Sequence, residues 1–130
     1  MGRVGQWTKE IKDGTQAKLS TTGPGTGHLG TSPLVIALAS ISTWAPTIVA
    51  FDLAQATTYM QLAAWEIGIG SNVARIRDQD AAREALNAPD NVNLEWAISF
   101  GYPLPSDAEA PLKAGGRKPL EEIVRYDKWE

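Results

Sequence analysis

The chain has 130 residues, of which 43% are hydrophobic and 21% are charged, which suits one globular domain with its own core. The formal net charge is −3, with no cluster of Lys and Arg, which argues against a nucleic-acid partner and against an anionic membrane surface. The absence of cysteine excludes disulfides, thiolate metal sites and cysteine nucleophiles. We therefore expect a single domain over residues 1–130.

The N-terminal quarter of the chain is polar and then rich in glycine. Residues Gly2–Leu19 are predicted to form a short surface helix, because Trp7 and Ile11 lie at helical spacing. Residues Ser20–Ser32 consist almost entirely of Gly, Ser, Thr and Pro, which predicts a loop.

Two features of this loop could carry chemistry. Gly25, Gly27 and Gly30 match the Gly-x-Gly-x-x-Gly form of a dinucleotide-binding turn, but such a turn must follow a strand and open a helix. Here the glycines follow polar chain and precede an apolar run, so the context argues against nucleotide binding. His28 is the only histidine, and no Cys, Asp or Glu lies at metal-ligand spacing from it. The sequence also contains no Gly-x-Ser-x-Gly elbow that could supply a nucleophile. A loop role is the favoured interpretation of His28, and a small hydrolase that uses it is a further hypothesis.

The uncharged run Leu34–Phe51 is nearly long enough to span a bilayer. Its interior contains several Ser and Thr residues and Pro46, which would break a membrane helix. We instead predict a strand over Leu34–Ala39, covered on both faces, and a loop over Ser40–Thr47.

A long helix is predicted to follow. Asp52 can accept from free helix amides, and Gln55 completes a capping box, so the helix should begin at Asp52 and run to Ile67. Gly68 and Gly70 are expected to supply the left-handed backbone that ends it. Its apolar residues occupy nearly every side: Leu53, Ala54, Ala56, Met60, Leu62, Ala63, Ala64, Trp65 and Ile67. Such a helix needs a sheet on one face and a partner, such as a second subunit, on the other.

The next elements are a short extended segment, a helix and a strand. The extended segment is predicted over Val73–Ile76. Asp78 can cap a helix that directs its alanines and Leu86 inward and ends by Pro89. The alternation through Leu94–Phe100 predicts a strand.

The C-terminal part of the chain is predicted to be less regular. Gly101 and Pro103 close the preceding strand, and Ser106–Gly116 has the composition of a linker. A brief helical turn is predicted to start at Pro119–Glu122. Tyr126 and Trp129 then give the tail two aromatic anchors.

Four of these landmarks, in this order, resemble the FMN-dependent nitroreductase family. They are the segment YMQLAAWEIGIGSN, the helix Asp78–Pro89, the strand Ala97–Pro103 and the tail GRKPLEEIVRYDKW. The resemblance covers the chain from about Pro33 to its end. It implies an α+β fold with a mainly antiparallel sheet flanked by helices. It also implies a homodimer formed through the Asp52–Ile67 helix, with the tail reaching across the partner.

The resemblance further implies an FMN site, with NAD(P)H as the reductant. Val73, Ala74, Arg75 and Ile76 would lie against one face of the isoalloxazine, where several relatives have Gly or a small residue in place of Arg75. Arg117 and Lys118 match the basic pair near the FMN phosphate, and guanidinium suits phosphate because its planar donors bind two oxygens. From the residues alone, a connector between two helices is the favoured interpretation of the first segment, and the basic pair could equally be a solvated turn.

The implied activity is oxidoreduction of nitro compounds or quinones by NAD(P)H, with a hydride passing through flavin N5 in a ping-pong sequence. No catalytic side chain and no metal ligand is implied. The family's Arg-x-Ser-x-Arg helix and Pro-Ser-x-x-Asn-x-Gln-Pro-Trp loop do not occur in this sequence, which predicts an N-terminally truncated domain and weaker flavin binding. The alternative is a non-catalytic remnant of the flavin fold that dimerises or binds a small ligand. The expected location is the cytoplasm, since the start carries no signal-peptide pattern.

Overall fold

The computed structural model describes residues 12–41, 43, 45–108 and 118–129. Three layers are present in this part of the chain: one long helix, a three-stranded antiparallel sheet and a group of short helical segments. This arrangement confirms the α+β class and the antiparallel sheet that the sequence predicts.

The sheet has the order β1-β3-β2, with β1 at Leu34–Ile41, β2 at Gly70–Arg75 and β3 at Val92–Gly101. The central strand β3 is antiparallel to both neighbours. The predicted strands are therefore confirmed, although each is longer than expected. The prediction that β1 is covered on both faces is wrong for its ends. The two ends of the predicted range, Leu34 and Ala39, are exposed in the described chain.

A β-bulge interrupts the pairing of β1 with β3. Leu38 pairs with Trp96 and Ser40 with Asn93, so β3 has one more residue than β1 between these two pairs. A bulge of this kind bends the strand and changes which side chains share a face. Leu94 consequently packs on one face of the sheet, whereas Trp96, two residues later, lies on the other.

The helices are α1 at Ala17–Leu19, α2 at Pro46–Glu66, α3 at Gln79–Leu86, α4 at Pro105–Ala108 and α5 at Leu120–Ile123. A π-helical turn, Lys12–Gln16, leads into α1, and a 3-10 turn, Gly27–Gly30, precedes β1. Of the predicted N-terminal helix, Trp7 and Ile11 fall outside the described residues. Most of the predicted linker Ser106–Gly116 does so as well. The predicted turn at Pro119–Glu122 is confirmed as α5.

The long helix α2 begins earlier than predicted. Its first residue is Pro46 rather than Asp52, and the Asp52–Gln55 capping box is not formed because both residues lie within the helix. Proline is well suited to a first helical position, since its missing N–H would have no partner there. At the other end Gly68 has a φ of 79°, whereas Gly70 already belongs to β2, so only the first of the two glycines takes the left-handed conformation.

The uncharged run that resembles a membrane span is divided between β1 and the start of α2. Within the described ranges, no helix combines the length and the hydrophobicity that crossing a bilayer requires.

Two apolar clusters hold the layers together. On one face of the sheet Leu38, Ile98 and Phe100 pack with Ala64, and Met60 is partly buried against them. On the other face the core contains buried residues of several short elements and of the sheet: Leu19, Leu29, Ala74, Ile76, Ala82, Leu94 and Ala97. The sheet therefore covers one side of α2, as predicted, while the opposite side of α2 is exposed in the single chain.

The helix α3 follows the sequence prediction closely. The Asp78 carboxylate accepts a hydrogen bond from the Ala81 N–H at 3.0 Å, which satisfies one free amide of the first turn. The helix ends at Leu86, because Asn87 takes the left-handed conformation two residues before Pro89.

Candidate functional site

The structure places Val73–Arg75 in β2 and Ile76 directly after it, and neighbouring side chains of the strand point to opposite faces of the sheet. Val73 lies on the α2 side, and Arg75 shares this face and is exposed. Ala74 and Ile76 are buried in the opposite core. Two of the four predicted side chains are therefore accessible from one face, and the other two are structural.

The backbone of β2 is open on its outer edge, because β2 pairs only with β3 in the described chain. The Ile76 N–H donates to the Glu95 carbonyl of β3 at 2.7 Å. Since alternate residues of an antiparallel strand direct both backbone groups to the same side, the N–H groups of Val73 and Arg75 point away from the sheet. These two amides are available donors at the predicted flavin segment.

A loop closes part of this edge. The Thr22 carbonyl accepts the N–H groups of Arg77 and Asp78 at 3.0 and 2.9 Å. A Cβ at Gly23 would lie only 3.2 Å from the Arg75 carbonyl oxygen, so a side chain at this position would crowd the strand. The loop thus fixes the C-terminal end of β2 and leaves its edge open near Val73.

A cleft of about 340 Å³ lies between the N-terminal half of α2 and the sheet. Met60 and Ala64 in the C-terminal half of α2 pack against the core on this face, and Leu53 in the N-terminal half packs against it as well and also borders the cleft. Its walls are mainly apolar and consist of Leu38, Ala50, Leu53, Ala54, Thr57, Thr58, Val73 and Trp96. Thr57 and Thr58 donate their hydroxyl protons to helix carbonyls, so the polar atoms of this wall are already engaged.

Trp96 connects this cleft to a second, smaller one. The second cleft, of about 160 Å³, is lined by Trp96 together with Asn93 and Glu95 at the β-bulge, and by the first turns of α2. Two clefts therefore lie beneath α2, an apolar one beside β2 and a more polar one beside β1, and the Trp96 indole ring borders both.

Arg75 does not line the apolar cleft, but its side chain lies beside Trp96, which does. It pairs with Trp96 in the β2–β3 register, and its guanidinium carbon lies 5.9 Å from the centre of the Trp96 ring. Among the described residues, the Arg75 side chain makes no salt bridge. The cleft thus has apolar walls and one aromatic ring, and a cation without a salt-bridge partner among the described residues lies against that ring.

The predicted phosphate pair is described only in part. Lys118 is exposed two residues before α5, and Arg117 lies outside the described residues. Their relation to β2 stays a prediction.

The glycine-rich loop is packed as a structural turn. Thr26 is fully buried, and its hydroxyl lies 2.6 Å from the Gly23 carbonyl and 2.9 Å from the Ser20 carbonyl. Leu29 is buried in the core. The His28 Nε2 atom is buried and has no hydrogen-bond partner in the part of the chain described here. No described element shows a strand-to-helix phosphate turn at these glycines, because the 3-10 turn leads into β1.

The residues that sequence reasoning missed are those of the cleft. Trp96 was assigned to a strand, but nothing in the alternation identified it as a wall of a cavity. The sequence places Leu53, Ala54 and Thr57 in the long helix but does not indicate which side of the helix they occupy. The periodicity of α2 does not distinguish these positions, because all sides of this helix are apolar.

Comparison with known proteins identifies the family. The Nitroreductase family model matches residues 5–102. This match starts earlier than the resemblance from Pro33 onward and does not include the tail. No curated protein sequence matches the chain.

Several solved structures share the fold. An FMN-dependent nitroreductase from Clostridium difficile R20291 is 21% identical, with a TM-score of 0.65 over 88% of this chain and 71% of its own. A nitroreductase family protein from Clostridium difficile 630 is 27% identical, with a TM-score of 0.64 over 87% of this chain and 67% of its own. A putative NADH oxidase from Clostridium acetobutylicum is 21% identical, with a TM-score of 0.69 over 92% of this chain and 72% of its own.

These matches confirm the nitroreductase-like fold predicted from the sequence. Because the family model spans most of the chain, this protein belongs to the nitroreductase family.

Proposed function

We propose that this protein is an FMN-dependent oxidoreductase that uses NAD(P)H to reduce nitro compounds or quinones. FMN is the cofactor that the sequence resemblance predicts, and it agrees with membership of the nitroreductase family. Bound FMN would supply ping-pong hydride transfer through its N5 atom, from NAD(P)H to the acceptor. Since NAD(P)H is an intracellular reductant, we place the reaction in the cytoplasm.

The open edge of β2 is the observation that carries this proposal. The outward N–H groups of Val73 and Arg75 suit a ring edge that needs hydrogen-bond donors near N5 and O2. Val73 and Trp96 supply apolar surface beside them. The residues present therefore fit the isoalloxazine ring. Their contribution would be to orient the ring and to stabilise charge on it, without a side chain acting as an acid or base.

The phosphate end of the site is proposed from the resemblance. Arg117 and Lys118 would hold the phosphate by charge-assisted hydrogen bonds. Lys118 is exposed and so is free to bind an anion from solution.

We also propose that the protein works as a homodimer. The side of α2 that faces away from the sheet carries large apolar residues that are exposed in the single chain: Ile48, Phe51, Tyr59, Leu62 and Trp65. A contiguous apolar surface of this kind is typical of a protein–protein interface. In the tail, Tyr126 is 81% and Trp129 is 85% exposed, which suits side chains that contact a partner subunit.

The first experiment is to add excess FMN to the purified protein, desalt it and record the absorption spectrum. Retained flavin is the expected result, in an amount reduced by the weaker binding that the sequence predicts. A Val73→Pro variant provides a sharp check. Proline removes the outward N–H of Val73 without removing a bond to β3, so flavin binding should weaken while the sheet is retained. Protein that holds no flavin would contradict the proposal and favour the non-catalytic alternative.

A further inference from the structure

We infer that the apolar cleft beneath α2 binds a small, flat aromatic carboxylate, with the ring against Trp96 and the carboxylate on Arg75. This ligand site shares the Val73 and Trp96 side chains with the proposed flavin site. It goes beyond that proposal because it also uses the Arg75 side chain and the interior of the cleft, whereas the flavin ring would be held by backbone N–H groups on the outer edge of β2.

The size of the cleft limits the ligand. A volume of about 340 Å³ is near the lower end of the range for small-molecule sites. One or two fused rings would fill it, and larger ligands would extend into solvent. The walls formed by Leu38, Leu53 and Val73 offer such a ring apolar contact, and the Trp96 indole offers it an aromatic neighbour.

The charge at the cleft specifies an anion. The Arg75 guanidinium lies 5.9 Å from the Trp96 ring centre, and no carboxylate of the described chain forms a salt bridge with it. A guanidinium presents paired donors that match the two oxygens of a carboxylate. A ligand with a ring beside Trp96 and a carboxylate at its edge would therefore satisfy both the apolar wall and the cation.

The polar groups of the cleft favour this ligand over a strongly hydrogen-bonding one. The Thr57 and Thr58 hydroxyls donate to the Leu53 and Ala54 carbonyls at 2.7 and 2.9 Å. Because these donors are occupied, a sugar or a peptide would lose more hydrogen bonds to water than it gained in the cleft. An aromatic ring makes no such demand.

The test uses flavin-free protein, so that its outcome does not depend on flavin binding. The probes are 2-naphthoate and 2-naphthamide, which have the same ring system and differ in charge. Binding is followed by isothermal titration calorimetry for the unaltered chain and for three variants. Arg75→Gln removes the charge, and Ala54→Phe narrows the cleft at an exposed helix position. Arg125→Gln is the matched control, because Arg125 also lies 5.9 Å from a tryptophan ring, that of Trp129, but in the exposed tail.

The expected result is saturable binding of 2-naphthoate that exceeds binding of the amide by up to about fivefold, as for one exposed ion pair. Arg75→Gln should reduce this preference to about one, Ala54→Phe should weaken both probes, and Arg125→Gln should change neither. Equal affinity of the unaltered chain for both probes, or no saturable binding, would overturn the inference. So would an unchanged preference in Arg75→Gln or unchanged affinities in Ala54→Phe. Flavin retention without naphthoate binding would refute this site alone.

Discussion

The outward face of α2 gives a sharp test of the proposed dimer through the substitution Leu62→Glu. Leu62 is 62% exposed in the single chain, so a glutamate there remains solvated and should change the free energy of unfolding by less than about 0.5 kcal/mol. In a two-fold dimer the substitution occurs in both copies, and both carboxylates would be buried without partners. At about 3–5 kcal/mol for each such charge, the dimer should be weakened by roughly 6–10 kcal/mol. It should therefore dissociate at any practical concentration.

Sedimentation velocity over a range of protein concentrations measures this effect, and thermal unfolding by circular dichroism checks the fold. Asn91→Glu is the control, since it adds the same charge in an exposed turn. Met60→Glu provides the contrast. Met60 is partly buried against the sheet, so its substitution should destabilise the fold itself. A Leu62→Glu protein that stays dimeric with an unchanged dissociation constant would refute the assignment of this face.

Three further predictions concern a cap, the core and the phosphate site. Asp78→Ala removes the bond to the Ala81 N–H and should lower stability by about 0.5–2 kcal/mol in urea unfolding, whereas the exposed Asp90→Ala should have little effect. Ile98→Ala empties a fully buried position of β3 and should cost about 2–5 kcal/mol in the same assay; a loss below about 1 kcal/mol would show that the core is misassigned. Arg117→Ala should weaken FMN binding by about 1.5–3 kcal/mol in a fluorescence titration, with Arg125→Ala as the control, and equal affinities would remove Arg117 from the site.

The elements that the sequence predicted well are those whose signal is local. The alternation of Trp96, Ile98 and Phe100 reports a strand because side chains of a strand alternate between faces. Asp78 reports a helix start because its carboxylate reaches an amide only three residues away. In both cases the physical cause lies within a few residues of the signal.

The start of α2 was mispredicted because two local signals compete. Asp52 with Gln55 has the form of a capping box, but Pro46 is equally well suited to a first helical position. The residues between them, from Thr47 to Phe51, have no side chain that breaks a helix. The helix therefore extends toward the N-terminus as far as Pro46, which places Val49 and Ala50 beside the second cleft.

The candidate site depended on pairing that the sequence does not encode locally. Four consecutive residues, Val73–Ile76, were expected to face the cofactor, yet a strand can present only alternate side chains to one side. Which pair faces α2 follows from the register with β3, which aligns Arg75 with Trp96. The bulge at Leu94 and Glu95 then sets the face on which Trp96 lies, and no local sequence motif predicts this bulge. Periodicity also could not orient α2, because an all-round apolar helix has no preferred face.

Reduction of bound flavin by NAD(P)H is the most direct measurement of the central proposal. FMN-loaded, desalted protein is mixed with NADH or NADPH without oxygen, and the visible flavin absorbance is followed. The account predicts that this absorbance is lost after addition of one equivalent of reductant, and that it returns when a quinone or a nitro compound is added. A protein that retains flavin whose absorbance neither nucleotide alters would contradict the proposed oxidoreductase activity.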